Sequence, residues 1–224
     1  MGGDDIRMTS NGKSGWKNVK AVIFDYGEVL SQRPTAHENT RLASFFNLRA
    51  DQLPGLWERN RGAYDRGDLA PAVYWSMLAK DAGVELNPDQ LDAIHEIDMA
   101  MWSNINSSMI DWLGQLRLSG MKVGLLSNMH PEMVTHCRKK FSWLKNFDFV
   151  TFSAEVRLIK PDPAIYEHTL RGLGVTASEA LFLDDREVNV RAAHALGINA
   201  LRFESTEQLR RELGLAGFPI LPKV

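Results

Sequence analysis

The chain has 224 residues, 44% apolar and 24% charged, the range of an ordinary globular protein with one good-sized core and room for a small inserted unit. Its formal net charge of -2 gives no electrostatic attraction to nucleic acid or an anionic membrane, so neither is expected as a partner. No apolar run is long enough to span a bilayer. The single cysteine, Cys137, excludes an intrachain disulfide and favours a reducing compartment, taken here as the cytoplasm.

Residues 1–16 are polar, with no apolar stretch of signal-peptide type, and Ile6 breaks a myristoylation pattern after Gly2; they read as a disordered leader. A β-rich apolar run over 19–24 then stops at Asp25-Tyr26-Gly27, which reads as a buried strand ending in a tight turn. From 34 to 106 the pattern turns helical, with four segments expected over 36–47, 53–66, 70–82 and 88–102. Asn87-Pro88 starts the last of these, and Gly67 and Gly83 close two others. Beyond 107, strands expected at 122–126, 149–152, 180–183 and 199–202 alternate with helices at 107–119, 131–141, 163–173 and 189–196. Ser205 then caps a last helix.

This alternation predicts an α/β fold: a doubly wound, Rossmann-like parallel sheet covered on both faces. The core is expected over 17–33 and 107–224, with 34–106 inserted as a helical cap after the first strand.

Ligands of open α/β sheets bind at the carboxyl ends of the strands. Read there, the chain offers Asp25 after the first strand, Ser127 and Asn128 after the second, Lys160-Pro161-Asp162 beyond the third, and Asp184-Asp185 after the fourth, with Asn189 a turn further on. Each alone has a structural explanation as a turn, cap or surface residue. Together they suit phosphoryl transfer. A carboxylate attacking a phosphate needs cations nearby. Asp25, Asp184 and Asp185 would bind a hard divalent cation, Mg²⁺ for preference. Lys160 adds fixed positive charge, and the Ser127 hydroxyl and nearby N–H groups would hold phosphate oxygens.

At these positions the chain resembles the haloacid dehalogenase superfamily over nearly its whole length. The resemblance is carried by four ordered segments: Phe24-Asp25-Tyr26-Gly27-Glu28-Val29-Leu30, Leu125-Leu126-Ser127-Asn128, Lys160-Pro161-Asp162-Pro163, and Phe182-Leu183-Asp184-Asp185. It implies a phosphohydrolase with an aspartyl-phosphate intermediate on Asp25. The Mg²⁺ would be held by Asp25, the Gly27 carbonyl and Asp185, with Asp184 or Asn189 as a further contact. Ser127, Asn128 and Lys160 would bind the phosphate of a small phosphate ester, and the inserted helices would form a four-helix cap that sets specificity.

Superfamily phosphatases usually carry a second aspartate, the general acid and base, where this chain has Gly27. An Asp-x-Gly-x-Val group that includes a sugar-1-phosphate phosphatase shares this feature. It points to leaving oxygens that need little protonation, such as anomeric sugar phosphates, with Glu28 as a neighbouring candidate acid. Two alternatives use the same residues differently: a 2-haloacid dehalogenase, which needs no metal, and a non-catalytic binder of phosphorylated ligands or proteins. His130 and Arg33 are candidate substrate contacts. Trp57, Trp75, Trp102 and Trp112, spaced as on helices, read as core or as pocket wall.

Overall fold

Five short apolar runs become five parallel strands: β1 (Ala21–Phe24), β2 (Lys122–Ser127), β3 (Phe149–Phe152), β4 (Ala180–Asp184) and β5 (Asn199–Arg202). The computed structural model describes residues 15–224, so most of the expected leader lies outside the described residues. The strand order is β3-β2-β1-β4-β5, with β1 in the centre, and the chain winds outwards from it in both directions. β1 and β4 are buried along their whole length, as expected of strands covered on both faces. Helices α6 (Ser107–Leu118), α7 (Pro131–Lys140), α9 (Pro163–Leu173), α10 (Glu187–Ala195) and α11 (Thr206–Leu215) supply that cover, and two apolar clusters fill the two faces. The short helix α8 (Ser153–Val156) follows β3 directly. No helix among the described residues is long and apolar enough to cross a membrane.

Between β1 and α6 lies a helical block with an apolar cluster of its own, centred on Leu42, Phe46, Tyr74, Trp75, Leu78 and Ile94. It holds five helices: α1 (Ala36–Ser44), α2 (Leu53–Trp57), α3 (Arg61–Asp65), α4 (Pro71–Ala82) and α5 (Pro88–Met101). The expected single helix over 53–66 is therefore corrected to two. The break falls at Asn60, whose backbone is left-handed with φ 58°, a conformation asparagine adopts more readily than most residues. Capping boxes at Thr35 with Glu38 and at Asn87 with Gln90 start α1 and α5.

The chain enters and leaves this block at one place. Ser31 and Ile105 form an isolated antiparallel bridge, with Gln32 N–H donating to the Asn104 carbonyl at 2.7 Å and Asn106 N–H to the Leu30 carbonyl at 2.8 Å.

Candidate active site

The parallel sheet aims the ends of its central strands at one point. Asp25 follows β1, Ser127 ends β2, Asp184 ends β4, and Lys160 arrives from the loop after α8; all four are buried. Lys160 ties them together. Its ammonium nitrogen lies 2.8 Å from Asp25 Oδ1 and donates to Asp184 Oδ2 at 2.6 Å and to the Leu126 carbonyl at 3.1 Å. Those three partners match the three N–H donors of an ammonium group. The flanking carboxylates hold the Lys160 pKa above its usual value despite burial.

Each carboxylate has a distinct setting. Asp25 Oδ1 also accepts the Tyr26 N–H at 2.7 Å, leaving Oδ2 with no hydrogen bond among the described residues. Asp184 has both oxygens engaged: besides Lys160 it accepts the Arg186 N–H at 2.8 Å and Asn189 Nδ2 at 3.0 and 3.1 Å. Asp185 borders the cavity, and its carbonyl accepts Arg202 Nε at 3.1 Å. Burial, with Asp184 and Asp185 nearby, pushes the Asp25 pKa up to about 8 against the pull of Lys160. Burial, Asp184 and Glu28 push Asp185 up to about 6.

One oxygen from each of Asp25, Asp184 and Asp185 lies within 4.8 Å of the others. Crowded, buried carboxylates with raised pKa values are what a hard divalent cation would relieve, and an all-oxygen donor set suits Mg²⁺. The residues present therefore fit the metal.

Gly27 has room beside it: a Cβ there would meet Trp102 Cζ3 at 3.7 Å, an ordinary contact. Glu28 is left-handed, with φ 54°, and its carboxylate accepts Arg33 Nε at 2.6 Å. Both Glu28 and Arg33 border the cavity, tied to each other. Asn128 also borders it, with both ends of its amide engaged by the Lys160 backbone: Nδ2 donates to the Lys160 carbonyl at 2.9 Å, and Oδ1 accepts the Lys160 N–H at 2.8 Å.

The cavity over these residues encloses about 370 Å³. Its floor holds Asp25, Ser127 and Lys160, and the helical block contributes Leu53, Pro54, Trp57, Arg61 and Trp102 to its walls. Trp75 and Trp112, by contrast, are wholly buried core. An exposed ion pair, Arg186 to Glu58 at 2.6 Å, joins the loop after Asp185 to the residue that ends α2.

A polar group lies under one wall, and of its members the sequence pointed only to His130, as a candidate substrate contact. His130 is buried, stacked on Tyr64 with centroids 4.4 Å apart, and held between Asp98 at 3.6 Å and Glu132 at 3.1 Å. Burial opposes its charge, yet the two carboxylates hold the imidazole pKa above its usual value. Nδ1 is engaged by Glu132 and the Met133 N–H, while Nε2 faces the buried Asp98 Oδ2 beyond hydrogen-bond distance, and His130 borders the cavity. The available signal was Asp98 itself, an acid on the α5 face that buries Ile94, Ile97 and Met101. Arg61 and Asp65 were missed as well.

A doubly wound parallel sheet with a carboxylate cluster and a buried lysine at its carboxyl edge defines a class of Rossmann-like α/β proteins with their site at the strand ends. The chain belongs to the haloacid dehalogenase-like hydrolases, whose family model matches residues 19–197. It is 36% identical to flavin mononucleotide hydrolase 1 of Arabidopsis thaliana over 93% of this chain and 82% of that protein. It is 27% identical to the sesquiterpene phosphatase astK of Aspergillus oryzae, over 81% of this chain and 88% of that one. Identity is 25% with (S)-2-haloacid dehalogenase 1 of a Pseudomonas species, over 82% and 84%. Some relatives are much longer: the chain spans 10% of mouse acyl-CoA dehydrogenase family member 10 and 36% of the drimenol cyclase drtB of Aspergillus calidoustus. Among solved structures, a family enzyme of Bacteroides thetaiotaomicron in complex with magnesium superposes with a TM-score of 0.64 at 25% identity, over 84% of this chain and 94% of that one.

Proposed function

We propose that the chain is a magnesium-dependent phosphomonoester hydrolase that acts on a small phosphometabolite through an aspartyl-phosphate on Asp25. The observation that carries this reading is the cluster of Asp25, Asp184 and Asp185, with the Lys160 ammonium between Asp25 and Asp184, beside a 370 Å³ cavity that Asp25, Asp185 and Lys160 line. Haloacid dehalogenation, also by an aspartate, needs no such concentration of carboxylates. Magnesium would be held by Asp25, the Gly27 carbonyl and Asp185, with Asp184 or Asn189 in outer contact; bound there, it supplies positive charge against the repulsion between nucleophile and phosphate.

Asp25 is the nucleophile. Oδ1 accepts the Tyr26 N–H and lies 2.8 Å from Lys160, which fixes the carboxylate so that one oxygen attacks phosphorus while the other would face the metal. The new Asp25–phosphorus bond forms as the ester P–O bond breaks, and the substrate oxygen leaves as alkoxide and takes its proton from solvent water. Water then cleaves the acyl phosphate, releasing inorganic phosphate and restoring Asp25. Ser127 and Lys160 hold the phosphate oxygens, with Lys160 sharing the donor it now directs at Asp25. The helical block acts as the cap and excludes water during the first step.

Two substrate classes follow from two observations. The apolar and aromatic wall favours an alcohol with a large body, as in flavin mononucleotide. The bare position at Gly27 favours a good leaving group, as in a sugar 1-phosphate. An alkyl phosphate without a general acid loses about 10²–10⁴ in rate, so the first class combines a low KM with a low kcat. The single thiol, Cys137, is buried with its pKa pushed up to about 11, an unreactive structural group with no part in the chemistry.

The test is phosphate release with and without Mg²⁺ from flavin mononucleotide, glucose 1-phosphate, glucose 6-phosphate and p-nitrophenyl phosphate, wild type beside Asp25→Asn. Magnesium-dependent release that disappears in the variant is expected. Halide release from 2-chloropropionate without metal would establish the dehalogenase instead, and ligand binding without turnover the non-catalytic reading.

A further inference from the structure

The helical block presents one buried-stem cation to the cavity. Arg61, on α3, borders it with a side chain 22% exposed. Its Nε donates to both oxygens of Asp65, at 2.9 and 3.1 Å. Its guanidinium carbon lies 5.4 Å from the Trp57 ring centroid and 5.5 Å from that of Tyr64, so aromatic contacts steady the group. Among the described residues, neither terminal nitrogen makes a regular hydrogen bond, and the Tyr74 hydroxyl, which donates to the Trp57 carbonyl at 2.7 Å, lies close enough to the guanidinium to interact with it. Arg61 is therefore held chiefly at Nε, at the edge of the cavity.

The charge of this group is already compensated. Asp65 is paired with it directly, and the buried Asp98 acts on it as well. With two carboxylates balancing its charge, the guanidinium can donate to a neutral carbonyl oxygen without leaving a buried cation uncompensated. Beside it stand Trp57 and Trp102, with ring centroids 6.0 Å apart, and the apolar side chains of Leu53, Pro54 and Met133.

We propose that Arg61 determines specificity by donating from its terminal nitrogens to carbonyl oxygens on the edge of a heteroaromatic ring, the ring itself lying against Trp57 and Trp102. The substrate class is a phosphate ester whose alcohol carries such a ring, as flavins do. This deepens the phosphatase reading and rests on it. A purely hydrocarbon alcohol would fit the same wall but strand the Arg61 donors, a penalty of the kind that lets hydrogen-bonding sites reject isosteres lacking the acceptor.

The experiment uses the full chain and three probes. Riboflavin has the ring and no phosphate, and quenching of its fluorescence reports binding without turnover. Flavin mononucleotide and ribitol 5-phosphate release the same kind of ribityl oxygen, but only the first carries the ring. Arg61→Met removes the donors. Arg61→Lys keeps a cation for Asp65 and decides the matter if the first variant melts before assay. Riboflavin affinity is expected to fall about tenfold or more, and the ratio of kcat/KM for flavin mononucleotide over ribitol 5-phosphate to fall by a similar factor. Affinity within about twofold of wild type in a folded variant, or an unmoved ratio, overturns the proposal. Wild type that releases phosphate but does not bind riboflavin also overturns it, and leaves the phosphatase reading standing. Wild type that binds riboflavin through Arg61 and hydrolyses neither ester supports the ring contact and removes the phosphatase reading.

Discussion

Asn128 and Lys160 clasp each other across the carboxyl edge of the sheet, the side-chain amide of one satisfying both the N–H and the carbonyl of the other, at 2.8 and 2.9 Å. A residue at the end of β2 thereby fixes the backbone of a lysine from a distant loop. The lysine in turn fixes Asp25 and Asp184.

Asn128→Ala leaves both Lys160 backbone groups without these partners, in a half-buried setting. Stability should fall by about 1–3 kcal/mol in urea unfolding, and kcat on p-nitrophenyl phosphate by about tenfold or more. Asn128→Asp keeps the acceptor and loses the donor, so it should recover only part of either loss. Wild-type kcat in a stable Asn128→Ala protein would show that Lys160 holds its place unaided.

Magnesium should stabilise the protein more as pH rises. The folded pKa values of Asp25 and Asp185 are raised, to about 8 and about 6. In the cation-free protein their stabilising contribution is complete below about pH 4 and is lost as pH climbs through those values. The metal needs the deprotonated carboxylates and releases their protons on binding. Thermal melts should therefore show a magnesium-induced Tm rise that is larger near pH 8 than near about pH 5.5, and Asp25→Asn should flatten it. A rise of the same size at both pH values would count against this cluster as the metal site.

Gly27→Asp should be sterically tolerated, because a Cβ there meets only Trp102, at 3.7 Å. The new carboxyl adds a proton donor beside the leaving group and a fourth carboxylate to an already crowded site. Turnover of alkyl phosphates relative to p-nitrophenyl phosphate should rise by about tenfold, less than a full general acid yields, and thermal stability should drop in the absence of Mg²⁺. An unchanged ratio would mean that leaving-group protonation does not limit the wild type.

The Arg186–Glu58 pair joins the catalytic edge to the helical block but is exposed on both sides, at 47% and 64% of its side chains. A double-mutant cycle should give a coupling of about 1 kcal/mol or less in stability. Because both residues border the cavity, Glu58→Ala should move KM by more than it moves Tm. A coupling well above that bound would make the pair a structural bolt.

The strand ends were legible because each is a short apolar run stopped by a polar residue with chemistry, as at Phe24-Asp25 and Leu183-Asp184. Sequence order alone then placed Lys160 near them. The split of 53–66 was harder to see: Leu53 to Trp57 and Arg61 to Asp65 both have helical composition, and only Asn60, with Gly62 two residues on, marks the left-handed turn between them. The His130–Asp98–Arg61 group was hidden for a different reason. Its members lie on α5, α3 and the start of α7, and no spacing rule connects residues that meet only after the helical block has packed on the sheet. The clasp between Asn128 and Lys160 is equally non-local: the motif residues could be named from sequence, but not which of them serve the others.

The bridge between Ser31 and Ile105 carries an evolutionary consequence. Because departure and return are neighbours, the intervening helices can lengthen, shorten or be exchanged while the ends that the sheet must accommodate stay put, and the entropic cost of a longer excursion grows only logarithmically. Substrate range and reaction chemistry can then diverge at separate rates, one in an appendage and the other in the scaffold it is plugged into.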